Sequence, residues 1–159
     1  MSIFPTKILL ATDGSEEAQL ALSTAVDQAN STNSELHLVS VGPWSPDPGY
    51  HTHEMNFRWE TYEEIVEAIG KETQQILDEQ VKKVEEAGGT FQEAYVRRGR
   101  KDQEIVRLAE EIGAGLIVIG SRGRAGVRRA LMGSVSDSVV RHAHCPVLVV
   151  RKQKQQAAL

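Results

Sequence analysis

The chain has 159 residues, 40% of them hydrophobic and 25% charged, which is the composition of one ordinary globular domain able to bury a single core. A formal net charge of -4 excludes a nucleic-acid partner held by bulk charge, and with no run of 18 apolar residues no membrane span is expected. The single cysteine, Cys145, excludes an internal disulfide and points to a reducing, cytoplasmic setting.

The opening stretch MSIFPTKILLATDGS lacks the basic region and cleavage pattern of a secretory signal. Its apolar part, Lys7 to Thr12, is read as a first strand. A helix is predicted from about Glu16, with Ser15 as N-cap and two acidic residues in the first turn. Its inner face is Ala18, Ala21, Leu22, Ala25 and Ala29, small enough to sit close to a sheet. Glu35 to Val41 is the second strand. An irregular stretch rich in Pro, Gly and His, Gly42 to Asn56, precedes a long helix from about Trp59 to Glu86. Tyr62, Ile65, Ile69, Ile76 and Val84 give that helix its apolar spacing, and Gly88 and Gly89 stop it.

TFQEAYVRRG alternates and makes a third strand, placed near an edge by its polar outer face, with Arg97 and Arg98 at a solvated end. Asp102 begins a helix carrying Ile105, Leu108, Ala109 and Ile112. GLIVIG is a fourth strand, Ser134 to Ala143 a fourth helix, and PVLVV a fifth strand. One domain, 1–152, is expected, followed by a polar tail, 153–159. The alternation of buried-strand and helix patterns predicts an α/β fold, an open parallel five-stranded sheet with helices on both faces. In such sheets ligands bind beyond the C-terminal strand ends, where the strand order reverses. With the first and fourth strands as central neighbours, ATDGS and GSRGRAG meet at that crevice.

The stretch from Gly120 to Ser136 carries the chemistry. Glycines let a backbone approach a phosphate and aim its N–H groups, and a helix N-terminus adds N–H groups without internal partners. Gly133 leads into Ser134, Val135 and Ser136, expected as a Ser-capped helix start with two hydroxyls. Arg122, Arg124, Arg128 and Arg129 add positive charge. A plain surface loop before a capped helix fits the glycines equally well. Neither G-x-x-x-x-G-K-[ST] nor G-x-G-x-x-G occurs, which excludes a Walker A loop and the dinucleotide fingerprint.

The spacing Gly120, two residues, Gly123, nine residues, Gly133, Ser134 resembles the ATP-binding pattern of the universal stress proteins. The similarity continues through GSVSDSVVRHAHCPVLVVR and includes the ATDGS turn, so it covers nearly the whole domain. His144 stands where many members carry proline. The resemblance implies a Rossmann-like sheet of the adenine nucleotide alpha hydrolase type, with strand order 3-2-1-4-5. It implies an ATP site in which Asp13 accepts from the ribose hydroxyls, Ala11 and Thr12 border the sugar, and the backbone of Val41 meets the adenine edge. Gly120, Ser121, Arg122, Gly123, Arg124, Gly126, Gly133, Ser134, Val135 and Ser136 would hold the phosphates, with Mg or Mn carried by them. It further implies a homodimer through the last strand, Pro146 to Arg151.

No Ser-His-Asp set, paired carboxylates or water-activating base can be argued, so at most slow ATP turnover is expected. Two other functions stay open: a nucleotide-free homodimeric interaction module, and an adenylating or ATP-pyrophosphatase enzyme. The enzymes carry a Ser-Gly-Gly loop after the first strand, where this chain has ATDGS. His51, His53 and Glu54 lack a further ligand at a definite spacing and are read as a solvated loop. Trp44, Tyr50, Phe57, Trp59 and Tyr62 are five of the eight aromatics (two Trp, three Tyr, three Phe). They form a lid over the nucleotide or pack on a partner. Cys145 is expected buried and inert, and His142 is given a packing or helix-capping role.

Overall fold

The computed structural model describes residues 2–44, 62–122 and 132–152. Five strands and four helices alternate along them: β1 (Lys7–Ala11), α1 (Glu16–Thr32), β2 (Glu35–Gly42), α2 (Tyr62–Glu86), β3 (Glu93–Arg98), α3 (Lys101–Ile112), β4 (Leu116–Gly120), α4 (Ser134–His142) and β5 (Val147–Val150). All pairings are parallel, as the alternating pattern predicts, and the order is β3-β2-β1-β4-β5, as the family resemblance implies. β1 is central, with Leu10 opposite Leu38 on one side and Val118 on the other.

Helices cover both faces, so the central strands are apolar without alternation. Ile8, Leu10, Leu36, Leu38 and Val118 face α1 and α2, where Leu22, Val26, Leu77 and Val84 pack on them. Leu9, Ala11, Val39, Ile117 and Ile119 face the opposite way, towards Ile105 and Leu108 of α3 and Val139 of α4. Side chains that alternate along one strand thus feed two cores. Among the described residues no helix is long and apolar enough to cross a membrane.

Local signals account for most element ends. Ala18 N–H donates to the Ser15 side chain (3.1 Å), so the expected cap of α1 is in place, and the five small inner-face residues are buried together with Val26. Gly89 N–H returns to the carbonyl of Val84 (2.9 Å) and closes α2 where expected. β1 stops one residue early, at Ala11, yet Thr12 N–H still donates to the Val39 carbonyl (3.0 Å). Lys101, not Asp102, opens α3, with Arg100 at the N-cap position.

Three expectations need correction. The buried stripe of α2 runs through Ile65, Ile69, Thr73, Leu77, Gln80 and Val84, while Tyr62 is exposed and Ile76 only half-buried. Thr73 can be buried because its hydroxyl donates to the Ile69 carbonyl (2.9 Å), so helical phase rather than apolarity selects it. Arg97 is not a solvated end: it pairs with Glu111 of α3 at 2.7 Å. Cys145 is half-exposed rather than buried, at the foot of β5. Burial still raises its thiol above the ordinary value, against a smaller lowering by a hydrogen bond from the Ile117 backbone, so it stays protonated at neutral pH. The proposed helix start at Trp59, the HTHE loop, Tyr50 and Phe57 lie outside the described residues, as does the tail 153–159.

Leu22 is fully buried and Leu20, two residues earlier on α1, is 36% exposed. Leu22→Ala is therefore expected to cost about 2–5 kcal/mol. Leu20→Ala should stay within about 0.5 kcal/mol. Urea unfolding followed by circular dichroism measures both, and equal losses would contradict the assignment of the inner face.

Candidate functional site

The strand order places a switch point between β1, whose chain leads away towards β2, and β4, whose chain leads towards β5. Both strands end there in loops. After β1, Thr12 is buried and Gly14 turns the chain with φ +77°, a conformation that favours glycine. Asp13 Oδ1 accepts from Ser15 N–H at 2.9 Å, a turn that fixes the carboxylate at the mouth of the crevice.

After β4, Gly120 lies against the first turn of α1. A Cβ there would stand 2.9 Å from the carbonyl carbon of Glu17 and 3.0 Å from its oxygen, so only glycine lets helix and strand end approach this closely. Ser121 then spends every polar group it has. Its N–H donates to the Val150 carbonyl (2.9 Å), and its hydroxyl donates to Glu17 Oε2 (3.4 Å). Its carbonyl accepts from Gly133 N–H (2.6 Å) and from the Ser136 hydroxyl (2.8 Å). The glycine loop therefore leaves β4 and returns to the same point before α4 begins.

α4 is not capped by serine. Gly133 occupies the N-cap position and no side chain caps the helix, because Ser136 turns its buried hydroxyl back to the carbonyls of Ser121 and Gly133. Ser134 is exposed and Val135 half-buried, and the first N–H groups of the helix have no intrahelical partner. That leaves a helix N-terminus with open N–H groups beside Ser121, and a positive field from the helix itself.

Ala11, Thr12, Asp13, Gly120, Ser121, Gly133, Ser134, Val135 and Ser136 are thus gathered at one end of the sheet. Val41 joins them one strand away, two residues beyond Val39, which is opposite Ala11. Arg122 is half-buried beside Ser121. Gly123, Arg124 and Gly126, with Arg128 and Arg129, lie outside the described residues. A separate shallow cavity of about 360 Å³, lined by Tyr62, Glu63, Val66, Glu67 and Arg98, sits by the start of α2 and shares none of these residues.

The family model described as "Universal stress protein family" matches residues 5–151. The chain belongs to the universal stress protein family. Among its relatives, universal stress protein MJ0531 of Methanocaldococcus jannaschii is 35% identical over 150 residues, 94% of this chain and 84% of that protein. The solved structure of universal stress protein UspA from Lactobacillus plantarum superposes with a TM-score of 0.76 at 26% identity, covering 94% of this chain and all of that one. A universal stress protein from Archaeoglobus fulgidus, solved in complex with dAMP, matches with a TM-score of 0.61 at 25% identity, over 94% and 99% of the two chains.

In this universal stress protein the sequence alone did not disclose two contacts. Glu17 was legible only as an acid favourable to a helix start, because its partners are more than 100 residues away. The second is Asp102 of α3, whose Oδ2 accepts from the Ser138 hydroxyl of α4 (2.7 Å) and from Arg100 (2.9 Å). His142 Nδ1 lies 2.9 Å from the Ser138 carbonyl, which makes it a helix-end cap on an exposed surface and not a packed residue. Asp102, Ser138 and His142 are neighbours, but serine stands between acid and histidine and gives its proton to the carboxylate. That order does not make a nucleophile.

Burial pushes the Asp102 carboxyl up, but hydrogen bonds from Ser138, Arg100 and the Gln103 backbone, with the Arg100 charge, outweigh it and hold the group below its ordinary value. A depressed carboxylate contributes stability that is present above its unfolded pKa and lost as pH falls through the folded one. Asp102→Asn should therefore lower the melting temperature at pH 7, and the deficit should narrow as pH drops through about 4 and below. Melting curves at neutral and acid pH test this, and a deficit independent of pH would refute the role given to the charge.

Proposed function

We propose that the chain binds an adenine nucleotide, ATP with Mg²⁺ or Mn²⁺ on its phosphates, and acts as a nucleotide-dependent signalling or stress-tolerance module of the cytoplasm. The observation that carries this reading is the closure of Gly133 N–H on the Ser121 carbonyl (2.6 Å), which sets the open end of α4 beside the β1 turn. The phosphates would take the N–H groups at that helix end and the glycine backbone, and the divalent ion would sit on phosphate oxygens. Asp13 would accept from the ribose, with Ala11, Thr12 and Val41 around sugar and base. Ser136, with its hydroxyl already donated to protein carbonyls, shapes the loop and leaves the phosphates to Ser134 and the backbone. The dAMP complex of the Archaeoglobus fulgidus relative supports an adenine nucleotide at this fold. In this reading turnover is slow at most, well under the roughly 1 per second of a dedicated enzyme.

A second copy pairs along β5 in this proposal. All four β5 residues, Val147 to Val150, are only half-buried, and the strand lies at the end of the sheet. A bare apolar edge invites strand addition. The reading that competes is a nucleotide-free interaction module whose glycines only shape a turn.

Mg-ATP at about 100 times its dissociation constant should stabilise nucleotide-free protein by roughly 2.7 kcal/mol, on the order of 5–10 °C in melting temperature. Gly133→Val, which places a side chain within 3.3 Å of the Ser121 carbonyl, should abolish that shift in protein that still melts cooperatively. Absence of any shift in the parent protein would leave the interaction module standing.

For β5, residues whose backbone groups reach β4 include Pro146 and Val150, so those of Val149 point to the free edge. Val149→Pro removes an edge N–H without touching the β4 ladder. Light scattering at micromolar concentration should give a dimer for the parent and a monomer for the variant, whereas a parent monomer would dismiss the pairing.

A further inference from the structure

We propose that Glu17 is a positioning residue: its carboxylate locks the start of the glycine loop to the end of the last strand and so sets the geometry of the phosphate-binding backbone. What the loop binds rests on the nucleotide reading above, while the lock itself stands on its own contacts. Glu17 Oε2 accepts from Lys152 N–H at 3.1 Å, just past β5, and from the Ser121 hydroxyl at 3.4 Å. Lys152 Nζ reaches the neighbouring Glu16 Oε1 at 2.9 Å, which brings a second bond between the same helix turn and the same strand end. The backbone of Glu17 is also what Gly120 packs against.

The consequence follows from the bonding of Ser121. Its three polar groups go to three different elements, the N–H to β5, the hydroxyl to α1 and the carbonyl to the start of α4. Take away the Glu17 oxygen and Ser121 loses its hold on α1 while Lys152 loses its backbone acceptor. The pair Ser121–Gly133 can then shift together, and small displacements of positioned donors are costly to ligand affinity. A carboxylate this close to a triphosphate would otherwise repel it. Two donors on one oxygen offset part of that charge, and the acceptor atom, not the charge, is what the lock uses.

Glu17→Ala and Glu17→Gln separate these roles. Glutamine keeps an acceptor oxygen and discards the charge; alanine discards both, and either change removes the favourable interaction of an acid with a helix N-terminus. Titration calorimetry with Mg-ATP should show Glu17→Ala weakened about tenfold and Glu17→Gln equal to the parent or tighter. In nucleotide-free protein, amide exchange at Lys152 and Ser121 followed by NMR should be faster in Glu17→Ala and remain slow in Glu17→Gln. Parent-like affinity in Glu17→Ala, or an equal loss in Glu17→Gln, would overturn the proposal. If the parent itself takes no Mg-ATP, the nucleotide reading falls and exchange alone decides the lock: faster exchange confined to Glu17→Ala upholds it, and equal rates in all three proteins overturn it.

Discussion

The fit of Gly120 against the backbone of Glu17 governs the geometry of the whole crevice. A Cβ at Gly120 would stand 2.9 Å from the carbonyl carbon of Glu17, so the close approach of α1 to the end of β4 requires glycine there. From that single contact the rest follows in order. The first turn of α1 comes within reach of Ser121 and Lys152, Ser121 keeps its carbonyl for the return of the loop at Gly133, and α4 starts with its N–H groups open. A helix end with unsatisfied donors is ordinarily a liability, and here the covalent path of the chain delivers it to the strand ends where the order of the sheet reverses.

Beneath this end the sheet divides its apolar residues between two cores, and the division explains which polar groups the interior tolerates. Thr73 is admitted because it bonds to its own helix, and Ser136 because two carbonyls await it. His37, buried on β2, stacks on Tyr95 of β3 with ring centres 6.1 Å apart and places Nε2 3.3 Å from Glu35. Thr73 and Ser136 thus answer locally the cost of burying a polar atom, whereas the buried Nδ1 of His37 has no hydrogen-bond partner among the described residues.

Legibility followed the range of the interaction involved. The fold was readable because it depends on local matters: β-branched runs for strands, helical spacing, the Ser15 cap and the glycines that end α2. The candidate site was readable as a motif, since Gly120, Gly133 and Ser134 are fixed by spacing along one short stretch. Its wiring was not. That Ser136 faces backward, that Glu17 serves β5, and that Asp102 joins α3 to α4 all depend on partners brought close only by folding, 15, 135 and 36 residues apart in sequence. The error over α2 has a different origin, because apolarity was counted where phase decides: Ile76 sits off the stripe that Thr73 and Gln80 complete.

An open sheet has two edges, and in this chain they are chemically unlike. β5 presents Val147, Leu148, Val149 and Val150, whereas β3 has Glu93, Arg97 and Arg98 among its six residues. A copy that adds through β5, as proposed, consumes that edge on both partners and leaves two charged strands outermost. Repeated edge-to-edge growth, the route by which β-proteins polymerise into fibres, would then have no second apolar edge to extend from. In that proposed dimer the composition of β3 would act as a chain terminator for assembly, keeping a sheet that is sticky on one side out of filaments.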